Sequence, residues 1–318
     1  MKEIIITEST TNQRLDKFLF KLLPNATSSF IYKMLRKKNI VLNGKKATGN
    51  EKLLTGDSVK IFFSDDTYNT MAGLEKKASE YALYKDKPFG NVHIISETED
   101  YLILNKPANV LSQKASNEDY SLNEEIIAYL INTEKITEAE FELFHPSVAN
   151  RLDRNTTGII LAGKTLKGQQ FLSTALNDRT VKKLYHTIVK GRIDADFTVK
   201  GFVIKDEASN SVKILENETK DSKYIETAFK VIKASDEYTL LEAHLITGRT
   251  HQIRASLSYY GHPILLDPKY GDRELNRKLI DKYNYKYQLL HAYSLTFADG
   301  QSFLAEEPEI YRKIMGEI

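Results

Sequence analysis

The chain of 318 residues carries 45 Lys+Arg against 43 Asp+Glu and is 41% hydrophobic, enough apolar content at this length to bury a substantial core and form two domains. It holds no cysteine, which excludes disulfides, thiolate catalysis and cysteine-ligated zinc, and its seven histidines are scattered without metal-ligand spacing. The apolar run after Met1 is too short for a signal peptide and no later run approaches a membrane span, so a soluble, intracellular, cytoplasmic protein is expected.

Positive charge is concentrated at the start. Residues 1–66 hold 12 Lys+Arg against 7 Asp+Glu, whereas the remainder holds 33 against 36, the balance expected when a small module meets phosphates and a larger body does something else. Leu15, Phe18, Leu19, Leu22 and Leu23 recur at helical spacing and predict a first helix with Asp16 on its solvated side. Residues 24–27 break that pattern, and Ser28 or Ser29 is expected to cap a second helix whose apolar positions are Ile31, Met34 and Leu35. Lys33, Arg36, Lys37 and Lys38 then fall mostly on its other faces. Ile40-Val41-Leu42, the hairpin signal Asn43-Gly44 and Lys45-Lys46 follow, and residues 58–63 alternate as a strand. Arg14, Lys33, Arg36, Lys37, Lys38 and Lys45 are the candidate phosphate contacts of this module.

Residues 67–90 are polar with few periodic apolar positions and read as a linker, within which residues 74–84 form a weak helical pattern. The larger domain, residues 91–318, opens with a strand pair over 92–95 and 101–105. Helical spacing predicts helices over 122–131 and 166–176. Residues 185–189, 197–204, 227–232 and 238–246 are β-like. Strands and helices do not alternate regularly, so the fold class is α+β, with a mixed, largely antiparallel sheet, flanking helices and a small N-terminal α/β module.

The stretch His145–Thr165 sets Asp153 between Arg151 and Arg154, then adds a polar turn over 155–158 and the apolar run Ile159-Ile160-Leu161-Ala162. A turn feeding a short apolar strand can hold a reactive carboxylate on a rigid support, and flanking guanidiniums favour its ionised form and attract a polyanion. By itself this pattern indicates a charged site for a phosphate-bearing ligand and leaves the reaction open. Arg14-Leu15-Asp16 repeats the tripeptide at the start of the first helix, so the tripeptide alone carries no information.

Arg151-Leu152-Asp153-Arg154 with Thr156-Thr157-Gly158 and Ala162-Gly163-Lys164-Thr165 resembles the catalytic signature of RluA-type pseudouridine synthases. Three further stretches match in that family's order: residues 183–191 around Tyr185, residues 247–254 ending at Arg254 and followed by 260–264, and Leu290-His291-Ala292 with Leu295 and Phe297. Residues 13–63 resemble the RNA-binding domain shared with a small-subunit ribosomal protein, although Ser28-Ser29-Phe30 lacks an arginine usual there. The resemblance implies isomerisation of uridine to pseudouridine in RNA, most commonly large-subunit ribosomal RNA or its precursor particle, by a monomer that needs no cofactor and no metal. It implies Asp153 as the nucleophile, Arg254 as its ion-pair partner, Tyr185 as a stacking and proton-handling group, and Arg151 as a wedge filling the space of an extruded base. A closed, dry pocket lined by Ile159, Ile160, Leu184 and Ile246 is expected, with His251 and Gln252 organising a strand end through backbone hydrogen bonds.

The chain departs from the family at several positions. Asn150 and Ser256 stand where histidine is common, Thr157 where serine is usual, and Leu266 where glycine is customary; the stretch Ala108-Asn109-Val110 also lacks a glycine. Two other functions remain compatible with the residues alone: an RNA-binding assembly protein that merely retains the fold, and a nucleoside hydrolase with a single carboxylate nucleophile.

Overall fold

Three apolar cores organise the chain, whose computed structural model describes residues 1–73, 79–206 and 211–316. The first core is built by β1 (Lys2–Ile5), α1 (Leu15–Leu22), α2 (Ser28–Arg36), β2 (Ile40–Leu42), β3 (Lys45–Lys46), β4 (Ser58–Ile61) and α3 (Asp65–Ala72). Its strands form a sheet of order β1-β4-β2-β3. Leu15, Phe18 and Leu19 are fully buried, each contributing about 1.5–3 kcal/mol of transfer free energy. Asn43 (φ 51) and Gly44 (φ 72) both adopt the left-handed region, the geometry of a two-residue hairpin turn that pairs Leu42 with Lys45.

Two expectations for this module need correction. Asp16 is buried rather than solvated: Arg14 donates to it at 3.1 and 2.6 Å, the Tyr32 hydroxyl at 2.8 Å and the Lys17 amide at 2.7 Å. Helix periodicity puts Asp16 next to the apolar face, and a carboxylate with four donors tolerates burial there. Thr27, rather than either serine, caps α2 by accepting from the Phe30 amide.

The stretch that reads as a linker holds two helices. α3, capped by Ser64, packs Tyr68 and Met71 on the first core, and α4 (Glu80–Tyr84) packs Tyr81 and Tyr84 on the next. Part of the weak helix expected over 74–84, namely 74–78, lies outside the described residues.

The larger body continues with β5 (Ile94–Glu97), β6 (Tyr101–Lys106), α5 (Leu122–Asn132), α6 (Glu138–Leu143), β7 (Ser147–Val148), β8 (Thr157–Gly163), α7 (Leu166–Asn177) and β9 (Lys182–Lys190). It is completed by β10 (Phe197–Asp206), β11 (Ser211–Leu215), β12 (Lys223–Ala234), β13 (Tyr238–Leu245), α8 (Gln252–Tyr259), α9 (Arg273–Tyr283), β14 (Leu290–Thr296), β15 (Ser302–Leu304) and α10 (Glu309–Met315). The sheet order is β11-β10-β12-β13-β9-β14-β8-β6-β5, with β15 on β14 and β7 on β8. Among the described residues every pairing is antiparallel except β14 with β8, which makes the sheet mixed and largely antiparallel. Its two faces are read directly from strand alternation. Ile103, Ile159 and Leu161 join the core that contains Tyr185 and α8, while Leu102, Leu104, Ile160 and Ala162 face α5.

That alternation corrects the expected pocket lining. Ile160 points away from Ile159 to the opposite face, and half-buried Leu184 likewise neighbours Tyr185 without joining its core. Gly158 (φ 105) fixes the approach of β14 to β8, because a Cβ there would lie 2.3 Å from the Ala292 carbonyl oxygen.

Candidate active site

The segment between β7 and β8 is held residue by residue. The Leu152 amide donates to the Ser112 hydroxyl at 3.0 Å, and that hydroxyl donates back to the Leu152 carbonyl at 2.8 Å. The Asp153 carbonyl accepts the Thr156 amide at 3.1 Å and so closes a turn. Gln288 Nε2 donates to the Thr156 hydroxyl at 2.8 Å, and the Thr157 hydroxyl bonds Nδ1 of His291 at 2.7 Å. Asn150, one of the departures, accepts the Leu161 amide from β8 at 2.7 Å. Arg151 and Arg154 project to solvent from this clamped backbone.

Lys106 contributes an unanticipated anchor. Its fully buried ammonium donates to the carbonyls of Pro107, Val110 and Arg154 at 2.9, 2.9 and 3.0 Å. Three acceptors match the three donors of the charged form. Burial pushes the ammonium down to about 7, opposed by the nearby Asp153 carboxylate.

The side chain of Asp153 is 28% exposed, and its Oδ2 accepts from Arg254 Nη1 at 2.7 Å. Arg254, in the first turn of α8, is in turn gripped by Asp267, whose two oxygens accept from Nε at 2.7 Å and Nη2 at 2.9 Å. Burial works against the Arg254 charge, yet Asp267 and then Asp153 hold its pKa above the usual guanidinium range. Burial likewise opposes the Asp267 charge, but Arg254 and the amides of Tyr270 and Lys269 keep its carboxyl below the usual range. The guanidinium also lies 5.2 Å from the centre of the Tyr270 ring. Oδ1 of Asp153 accepts no hydrogen bond among the described residues.

Tyr185 sits in register with Ala292 across β9 and β14, and Ala292 with Gly158 across β14 and β8. Its ring is buried in the core that includes Leu152. Burial first, and Asp153 second, push its phenol well above the ordinary range, so it stays protonated. The structure therefore brings Asp153, Arg254 and Tyr185 together, whereas Arg151, two residues before Asp153, is exposed.

The N-terminal candidates belong to the first module. Lys33, Arg36, Lys37, Lys38 and Lys45 are exposed on α2, its C-terminal end and β3. Arg14 differs, because it is engaged by Asp16 and by Asn50 Oδ1 at 2.6 Å.

Sequence reasoning missed Lys106, Asp267 and Tyr270, and it misjudged His251. Gln252 does organise the loop, bonding Thr247, Arg249, Glu226 and Thr227. His251 instead directs Nε2 to within 3.8 Å of Asp153 Oδ2. The signal lay in the motif itself, since a residue three positions before Arg254 meets it at the start of one helix turn. Among the described residues, no group of three or more His, Asp or Glu is disposed to hold a metal ion, and no helix is long and apolar enough to cross a membrane.

Residues 100–259 match the model of the RNA pseudouridylate synthase family, and residues 13–59 match that of the S4 domain. The chain is 33% identical over 322 residues to the ribosomal large subunit pseudouridine synthase C of Vibrio vulnificus, covering 98% of this chain and 92% of that protein. The Haemophilus influenzae protein of the same name is 31% identical over 299 residues, covering 93% and 87%. That of Escherichia coli is 32% identical over 300 residues, covering 93% and 88%. In fold, the chain is similar to human RNA pseudouridylate synthase domain containing 4, with a TM-score of 0.57 at 19% identity over 70% of this chain and 92% of that one. Human RNA pseudouridylate synthase domain containing 1 gives 0.56 at 19% identity over 72% and 88%.

Proposed function

The chain belongs to the RNA pseudouridylate synthase family and is an enzyme of that isomerase class, and from that premise we propose that it converts uridines of large-subunit ribosomal RNA to pseudouridine. The substrate is the one named for its bacterial relatives. In this reading the division of labour is residues 1–66 for RNA binding, 67–90 as the joint and 91–318 for chemistry. All three site residues come from one chain, so a monomer suffices, working in the cytoplasm where ribosomes are built.

The reaction breaks the C1′–N1 bond of uridine and forms C1′–C5, with loss of the C5 proton and gain of one at N1. Atoms and electrons balance without an external reagent. Asp153 attacks C1′ through Oδ1 as N1 leaves, and C5 of the turned uracil then displaces Oδ1 and frees the carboxylate, while Arg254 holds Oδ2 and fixes the carboxylate rotamer. Tyr185 stacks on the detached uracil, and its protonated hydroxyl, which makes no hydrogen bond among the described residues, gives its proton to the uracil nitrogen and takes the C5 proton in return. The target nucleotide leaves its stack to reach Asp153, and exposed Arg151 fills the gap.

The observation that carries this reading is the 2.7 Å pair between Asp153 and Arg254, joined across 101 residues of sequence at the edge of a core. The test maps pseudouridines in ribosomal RNA by chemical adduct and reverse-transcription stops in cells lacking the gene. Restoration of a missing position by the wild type, and not by Asp153→Ala, is expected. No missing position would overturn the ribosomal assignment, and restoration by Asp153→Ala would overturn the nucleophile.

A further inference from the structure

His251 is held in a conformation that its neighbours must maintain. Its backbone is left-handed (φ 51, ψ 19) immediately before α8, a region uncommon for residues other than glycine, though histidine enters it more readily than most. The ring stands edge-on to Tyr270, with centroids 5.6 Å apart. The Tyr270 hydroxyl accepts the Val212 amide at 2.8 Å and lies 3.0 Å from Nδ1 of His251, which directs the phenolic proton to Nδ1. Burial keeps the imidazole below its ordinary pKa, against the opposing pull of Asp153. The neutral ring with Nδ1 as acceptor therefore carries its single proton on Nε2.

That Nε2–H has no hydrogen-bond partner among the described residues. At 3.8 Å from Asp153 Oδ2 it is too distant to bond the carboxylate, yet the side chain keeps 10% exposure at the cleft. An unpartnered donor fixed in orientation beside a reactive carboxylate is arranged for the substrate.

Stereochemistry selects the atom. Uracil occupies the β face of the ribose, so an oxygen displacing it in line approaches C1′ from the α face. The 2′-hydroxyl also stands on the α face, one carbon from C1′. A donor beside the attacking carboxylate therefore meets the 2′-oxygen, whereas the uracil carbonyls leave on the opposite side. We infer that the Nε2–H of His251 donates a hydrogen bond to the 2′-oxygen of the target nucleotide, so that the site selects ribose over deoxyribose where it acts. This rests on the assignment of Asp153 to C1′.

The experiment uses the full-length enzyme and pairs of ribosomal RNA hairpins that carry a mapped target as uridine or as 2′-deoxyuridine. Single-turnover glycosidic cleavage and RNA affinity are measured for wild type, His251→Ala and His251→Gln. The alanine variant is expected to slow on the ribose substrate by about 10- to 100-fold and to lose the ribose-to-deoxyribose rate ratio by the same factor, with RNA affinity unchanged. The glutamine variant, which keeps a side-chain N–H donor, retains part of the ratio. A wild-type ratio in His251→Ala, or equal slowing on both substrates, overturns the contact. Should the alanine variant fail to fold, Tyr270→Phe, which releases the tautomer, carries the test through a reduced ratio; an unchanged ratio overturns the contact. An inactive Asp153→Asn beside an unchanged His251→Ala ratio sinks only the contact, whereas an active Asp153→Asn sinks the reading beneath it.

Discussion

Asp267 grips Arg254 through both carboxylate oxygens at 2.7 and 2.9 Å, and this fork leaves only Nη1 to meet Asp153. The two carboxylates around one guanidinium are unequal in setting. The side chain of Asp267 is fully buried, that of Arg254 is 6% exposed and that of Asp153 is 28% exposed. The buried pair is structural and holds its third partner in place.

Substitution should separate the two carboxylates. Asp153→Asn leaves Arg254 neutralised by Asp267, so unfolding free energy is expected to change by at most about 1 kcal/mol while activity is abolished. Asp267→Asn removes the buried carboxylate and leaves Arg254 only the more exposed Asp153 as a counter-charge, so it is expected to cost about 3–5 kcal/mol, with activity falling as the fork loosens. Denaturant unfolding together with a pseudouridine assay distinguishes the two outcomes.

Lys106 gives a pH signature of opposite origin. Its proton leaves the folded protein at about 7 but stays on the unfolded chain to the ordinary lysine value, so between these the unfolded state binds more protons and stability rises with pH. Relative to Lys106→Met, the wild type is expected to gain on the order of 2–3 kcal/mol between pH 7 and 9. Parallel pH profiles of unfolding for the two proteins would refute the assignment. The methionine variant also leaves three carbonyls without a donor and should lower activity by loosening the turn that bears Asp153.

His291 acts on the acid side. It is buried between the Thr157 hydroxyl at 2.7 Å and the Ala305 carbonyl at 3.2 Å, and burial pushes it down to about 4. Stability present above the unfolded value near 6.5 is therefore lost as pH falls toward 4. The wild type is expected to lose about 3 kcal/mol more than His291→Phe across that window. Equal losses in the two proteins would assign acid sensitivity to other groups.

The basic residues of the first module should be read by salt. If Lys33, Lys37 and Lys38 each neutralise a phosphate, replacing all three with alanine reduces the slope of log K against log salt by about 2–3. An unchanged slope in a filter-binding titration removes them from the RNA contact. Their exposure on α2 and just beyond it predicts no loss of thermal stability.

Much of this organisation was legible because period and order survive without coordinates. The helices over 122–131 and 166–176 and the four later β-like stretches all formed, most of them longer by one to a few residues and the stretch over 238–246 one residue shorter. The failures have a common cause, since donors arriving from elsewhere in the chain are invisible along it. Asp16 was assigned to solvent because Tyr32 and Arg14 could not be placed around it. His251 was assigned to backbone because nothing in its vicinity announced Tyr270 or Asp153. The departures at Asn109 and Leu266 are of another kind. Both residues stand at positive φ, 64 and 62, so each keeps a backbone shape that glycine adopts without strain. Ser256, fully buried with its Oγ unpartnered, has no physical account in the structure.

Strand β14, contributed by residues 290–296, lies between β9 and β8 and is the sole seam between the two halves of the large sheet among the described residues. A nascent chain that has not yet released this strand holds Asp153 on one half and Arg254 on the other. The 2.7 Å contact between these two side chains therefore depends on a strand that neither of them belongs to, so closure of the sheet and assembly of the ion pair are one event.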